Sequence, residues 1–157
     1  MKDFTLGLAL LDYVPVIAFG LAVIILATGI GSPLFITGAA LSLIAGLMKA
    51  TWKLIIALKK KNIAWLNKPF MPIQSAGFLL MLIALIVNFK SISFSRCLEL
   101  PQFIFFILWL ILIGVMVWFK KTRFKMDDAK TNLTAEIINT FAQLALLTAA
   151  IFTVLVH

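Results

Sequence analysis

The sequence predicts an all-α integral membrane protein, a bundle of five transmembrane helices with a cytoplasmic N-terminus and a C-terminus outside. Of the 157 residues, 63% are hydrophobic and 13% are charged, whereas a soluble domain carries about 25% charged residues. Five apolar runs are long enough to cross a hydrocarbon core of about 30 Å. Basic residues gather in the loops on one side of these runs. No second composition is present, so residues 1–157 form a single transmembrane domain.

The first apolar run covers about residues 6–30 and contains Asp12 and Pro15. The proline either kinks this helix or stands in the first turn of a helix that begins near Asp12. A cleaved signal peptide is the competing interpretation, but the run is too long for its apolar region and lacks a clear cleavage site. We therefore expect a retained transmembrane helix.

The second run, about 33–58, begins after a tight turn in which Ser32 is the expected cap and Pro33 the first helical residue. It carries small residues every four positions, a ladder formed by Gly38, Ser42, Gly46 and Ala50. Such a ladder lets another helix approach closely in lipid, within the chain or in a homo- or hetero-oligomer. We expect this helix to be central, with the closest contact at Gly46.

Three further spans are predicted at about 72–89, 100–119 and 133–156. The side of the membrane that holds the N-terminus then carries twelve of the fourteen basic residues, and the other side carries Lys90 and Arg96. This bias predicts a cytoplasmic N-terminus and a multi-pass protein of the cell membrane. The twelve are Lys2, Lys49, Lys53, Lys59, Lys60, Lys61, Lys68, Lys120, Lys121, Arg123, Lys125 and Lys130.

Polar residues within the spans predict a pocket toward the cytoplasmic leaflet, because polar groups in hydrocarbon are costly unless paired or functional. Asp12, Lys49 and Asn139 each lie on the order of 24 to 27 Å from the outer boundary at about 1.5 Å per residue. Lys49 and Lys53 share the face of the small residues and should point at a neighbouring helix. The predicted ligand-binding residues are Asp12, Lys49, Lys53, Glu136, Asn139 and Gln143, with Asp12 paired to Lys49.

Each of these residues also has a structural interpretation without function. Lysines near the end of a span commonly extend to the headgroups. Glu136 would stand in the first turn of a helix beginning near 133, where the helix dipole favours an acid. Asn139 and Gln143 could bridge two helices through hydrogen bonds.

The leading functional hypothesis is a protein that binds or transports a small anionic or amphipathic ligand, with membrane lipids around it. The rival is a non-catalytic structural or assembly subunit of a larger membrane complex. No motif of a hydrolase, metal site or phosphate-binding loop is present, so catalysis is not expected and no cofactor is indicated. The basic loops fit anionic headgroups better than nucleic acid.

Overall fold

The computed structural model describes residues 5–89, 97–123 and 128–156, and in these ranges it is built from helices without strands. Five helical segments are long and apolar enough to cross a membrane, and the first and the third of them are interrupted. The prediction of five helices long and apolar enough to span a membrane is therefore confirmed for the described residues. The helices are α1 (Leu6–Leu11), α2 (Tyr13–Ile30), α3 (Pro33–Lys59), α4 (Ala64–Asn67), α5 (Phe70–Val87), α6 (Gln102–Thr122) and α7 (Ala129–Val154).

The first span is interrupted at Asp12, because α1 ends at Leu11 and α2 begins at Tyr13. Pro15 has no backbone N–H, so it cannot donate the hydrogen bond that Leu11 would receive in a continuous helix. The proline thus stands in the first turn of α2, as one of the two sequence interpretations expected. Asp12 occupies the junction.

The last span begins four residues earlier than predicted. Asp128 caps α7 by accepting hydrogen bonds from the backbone N–H groups of Lys130 and Thr131. Glu136 therefore lies in the third turn of α7. Because the helix dipole acts mainly within the first turn, it does not account for this buried acid, and that interpretation of Glu136 is wrong.

The turn between the first and second spans has the predicted shape with a different side-chain contact. Gly31 ends α2 with a φ of 64°, a left-handed conformation that glycine adopts without strain. Pro33 starts α3, but the Ser32 side chain makes no capping hydrogen bond. Its hydroxyl instead accepts a bond of 3.2 Å from the Asn88 side chain at the end of α5. This contact ties the third span to the turn.

The spans pack side by side in a row. α5 packs on α3, α3 packs on α1 and α2, α2 packs on α7, and α7 packs on α6. The first span therefore lies in the middle of the row, and the expectation that α3 would be central is wrong. α5 and α6 form the two ends.

The small-residue ladder of α3 serves contacts inside the chain. A Cβ atom added at Gly38 would lie 2.6 Å from the Gly77 carbonyl oxygen of α5, and one added at Gly77 would lie 2.7 Å from the Gly38 carbonyl oxygen. At Gly46 the nearest atoms belong instead to the Val16 side chain of α2. The closest backbone approach is thus at Gly38, not at Gly46. Gly38 and Gly46 thus contact α5 and α2 within the chain, and an oligomer through this face stays a prediction.

Candidate functional site

A buried ion triad joins three of the five spans. The Lys53 ammonium of α3 donates to the Asp12 carboxylate over 2.5 Å and to the Glu136 carboxylate of α7 over 2.6 Å. The side chains of Lys53, Asp12 and Glu136 are 5%, 6% and 9% exposed, respectively. Two carboxylates therefore share one ammonium where little or no water reaches them. We call this cluster the triad.

The helix break brings Asp12 to the triad. The break lies one turn before the buried Pro15, at the level where α2 meets α3. Next to Asp12, the Tyr13 hydroxyl of α2 lies 3.0 Å from the Thr51 hydroxyl of α3. This hydrogen bond fixes the register of the first two spans, and it was not expected from the sequence. Asp12 consequently lies opposite the turn of α3 that contains Lys53.

Lys49 is separate from the triad, and the expected Asp12–Lys49 pair is wrong. The Lys49 ammonium lies 4.5 Å from the centroid of the Phe70 ring at the start of α5. Within the described part of the chain, no carboxylate forms an ion pair with Lys49; both ion pairs there use Lys53. Lys53 and Lys120 of α6 also interact electrostatically with Lys49, as do the Asp12 and Glu136 carboxylates without pairing with it.

Asn139 and Gln143 lie on α7 beyond Glu136 and contact each other. The Gln143 amide donates to the Asn139 carbonyl oxygen over 3.3 Å. The Gln143 carbonyl oxygen is buried and has no hydrogen-bond partner among the described residues. The side chains of neither residue are bonded to the triad. The structure therefore brings Asp12, Lys53 and Glu136 together. Lys49, Asn139 and Gln143 lie outside this cluster.

An apolar cleft of about 610 Å³ lies between the two ends of the row. Its floor is α2, and α5 and α6 supply its walls. Cys97 and the far end of α7 also line it. We call it the apolar cleft; typical lining residues are Phe19 and Val23 of α2, Phe78 and Met81 of α5, and Trp109 and Leu110 of α6.

The apolar cleft and the Lys49 ammonium both contact α5, at different levels of this helix. Phe70, which carries the Lys49 ammonium on its ring, stands eight residues before Phe78, the first residue of α5 in the cleft. At about 1.5 Å per residue this separates the two levels by roughly 12 Å. The Lys49 ammonium thus lies a little more than two helical turns beyond the level at which α5 enters the apolar cleft. Sequence reasoning did not find this cleft, because its lining residues resemble those that face lipid.

Comparisons with protein-family models, with curated proteins and with solved structures gave no match for this chain.

Proposed function

We propose that this protein binds an anionic amphiphile, with the apolar part in the apolar cleft and the anionic group toward Lys49. The observation that carries the proposal is the cleft itself, which is lined almost entirely by apolar side chains of α2, α5 and α6. A volume of about 610 Å³ falls within the range of small-molecule sites. Apolar burial supplies affinity there, and a charged group at one end supplies orientation.

Charge at one end of the bundle supports an anionic rather than a neutral ligand. Lys53 already donates to two carboxylates, whereas the Lys49 ammonium lies over an aromatic ring. Lys120 of α6 adds a second positive charge nearby. An anionic headgroup reaching this level would meet the half-buried Lys49 and the exposed Lys120, and a partly desolvated cation such as Lys49 gains from an anionic partner.

The test measures how a spin-labelled stearate is immobilised by the protein in phosphatidylcholine bilayers. Leu110→Trp should fill the cleft and lower the immobilised fraction several-fold. Ile111→Trp is the matched control, because Leu110 and Ile111 are 55% and 57% exposed and only Leu110 lines the cleft. Equal binding by the two variants would show that the cleft is not the site.

The preference for an anionic headgroup is tested by comparing the stearate with phosphatidylcholine that carries the same spin label. The parent protein should immobilise a larger fraction of the stearate than of the phosphatidylcholine. In Lys49→Met the two immobilised fractions should be equal. Lys59→Met, at the exposed end of the same helix, should leave it unchanged. A preference retained in Lys49→Met would remove this lysine from the site.

A second candidate function, an assembly subunit, is favoured by the exposure of α6. This helix packs on α7 at the edge of the row, and of its described side chains only Gln102 is buried. A partner helix could cover the opposite face, where Ile111 lies. Native electrophoresis of mildly solubilised membranes distinguishes the two functions: assembly predicts that Ile111→Trp dissociates a complex, and ligand binding predicts that it does not.

The proposed orientation places the N-terminus in the cytoplasm, and it is supported by the distribution of basic residues. The exposed lysines at the ends of α3 and α6 lie at the same end of the bundle, as anionic inner-leaflet headgroups would favour. In a Cys97→Ser background, Thr122→Cys should be protected from an impermeant maleimide in intact cells. Glu99→Cys should be labelled. The reverse pattern would invert the topology.

A further inference from the structure

We propose that Asp12 and Glu136 together bind one proton, which makes the triad a proton-binding site within the membrane. The geometry points to this through a charge imbalance. Both carboxylates contact the same ammonium, so their bonded oxygens are at most roughly 5 Å apart. With both acids ionised, the three groups would carry one net negative charge at a buried position.

A proton removes that imbalance without moving any helix. When one acid is protonated, the triad consists of one carboxylate, one ammonium and one neutral carboxyl group. That form has no net charge, which is the state that a low-dielectric interior tolerates best. Because the two acids interact strongly, the proton belongs to the pair and is not assigned to either residue.

Charged and titratable side chains around the triad also contribute to its charge balance. From α3, Lys49 lies one turn from Lys53, and from α6, Lys120 interacts electrostatically with Lys49. Tyr13, adjacent to Asp12, contributes a hydroxyl that is already bonded to Thr51. Lys49 could offset the second carboxylate only at a distance, since its ammonium is held on the Phe70 ring.

Proton binding has a consequence that rests on the proposed function. A neutral triad leaves the charge of Lys49 without compensation and favours an anionic headgroup beside it. Loss of the proton restores a negative charge and disfavours the anion. Ligand binding and proton uptake should then be linked, with each raising the affinity for the other.

The test needs no ligand, so its outcome is independent of the proposed function. The chain has two glutamates, Glu99 and Glu136, so glutamate labelled with ¹³C at the side-chain carboxyl gives two NMR signals. In a Glu99→Gln background, the remaining signal reports Glu136 alone. Labelled aspartate carboxyl carbons report Asp12, with Asp12→Asn identifying its signal. The protein is studied in lipid nanodiscs across a pH series.

We expect the Glu136 and Asp12 signals of the otherwise unsubstituted protein to change together in one step that differs from the titration of an exposed carboxyl. Asp12→Asn should remove that step from the Glu136 signal, because a lone carboxylate beside Lys53 stays ionised. Replacing Na⁺ with K⁺ should not move the step, whereas a metal-cation site would respond. Two signals that stay in the ionised position until the pH at which an exposed carboxyl titrates would overturn the proposal, whether or not the variants fold.

Discussion

Replacing Lys53 with methionine should destabilise the protein much more than the same replacement at Lys49, one helical turn away. The Lys53 ammonium makes two hydrogen bonds to buried carboxylates, at 2.5 and 2.6 Å. Removing one partner of a buried ionic cluster leaves the other charges uncompensated, at a cost of about 3–5 kcal/mol. Here two carboxylates lose their shared partner, so the upper part of that range applies.

Lys49→Met is a matched control for the loss of a lysine from α3. The contact that it removes is the 4.5 Å approach to the Phe70 ring, and such cation–π contacts contribute about 0.5–2 kcal/mol. Methionine also keeps most of the apolar stem of the lysine. The two variants should therefore differ by about 2–4 kcal/mol in the free energy of unfolding.

The assay is reversible unfolding in mixed micelles of dodecyl maltoside and sodium dodecyl sulfate, followed by circular dichroism. Asp12→Asn should cost less than Lys53→Met, because Glu136 still pairs with Lys53. In the Lys53→Met background, Asp12→Asn should cost less than it does in the parent, since the Asp12–Lys53 ion pair is already absent. Equal losses for Lys53→Met and Lys49→Met, or strictly additive losses in the double variant, would refute the triad as an energetic unit.

Two further predictions concern helix packing and the apolar cleft. Gly77→Ala should cost about 1–3 kcal/mol in the same unfolding assay, because the added Cβ meets backbone atoms of α3. Gly114→Ala is the control, because its added Cβ meets no atom within 4 Å and should not destabilise the protein. Equal stabilities of the two variants would contradict the close approach of α3 and α5. Burial raises the pKa of the Cys97 thiol, so its alkylation by iodoacetamide should be slow at neutral pH and accelerate as the pH rises and the thiolate forms. Because Cys97 lines the apolar cleft, added stearate should slow the reaction further in the parent and not in Leu110→Trp; unchanged rates in the parent would contradict a ligand in the cleft.

The five spans were predictable because their signal is local. Each depends on a run of apolar residues and on the glycines, prolines and charges that end it, and those features are read without knowing any contact. The boundary of α7 was misplaced for the same reason. Asp128 resembled an ordinary loop charge, and only its bonds to Lys130 and Thr131 show that it starts the helix.

The partner of Asp12 was not predictable, because it depends on the register between spans. Counting residues from the outer ends placed Lys49 and Asp12 at one depth. The break at Asp12 and the Tyr13–Thr51 hydrogen bond set a register that brings Lys53 to the aspartate instead. A shift of one helical turn, about 5.4 Å, exchanges one lysine for the other, and residue counting does not resolve that difference.

The apolar cleft lies beyond sequence reasoning for a more general reason. In a soluble protein, an exposed apolar surface stands out against a polar one, but in lipid both the outer surface and a ligand cleft are apolar. Leu110 and Ile111 are adjacent, similar in size and almost equally exposed, yet only one of them lines the cleft. What distinguishes them is the row order of the helices, which leaves α5 and α6 apart on either side of α2. The function of such a protein is therefore tested by comparing neighbouring apolar residues, since their chemistry is the same and only their position differs.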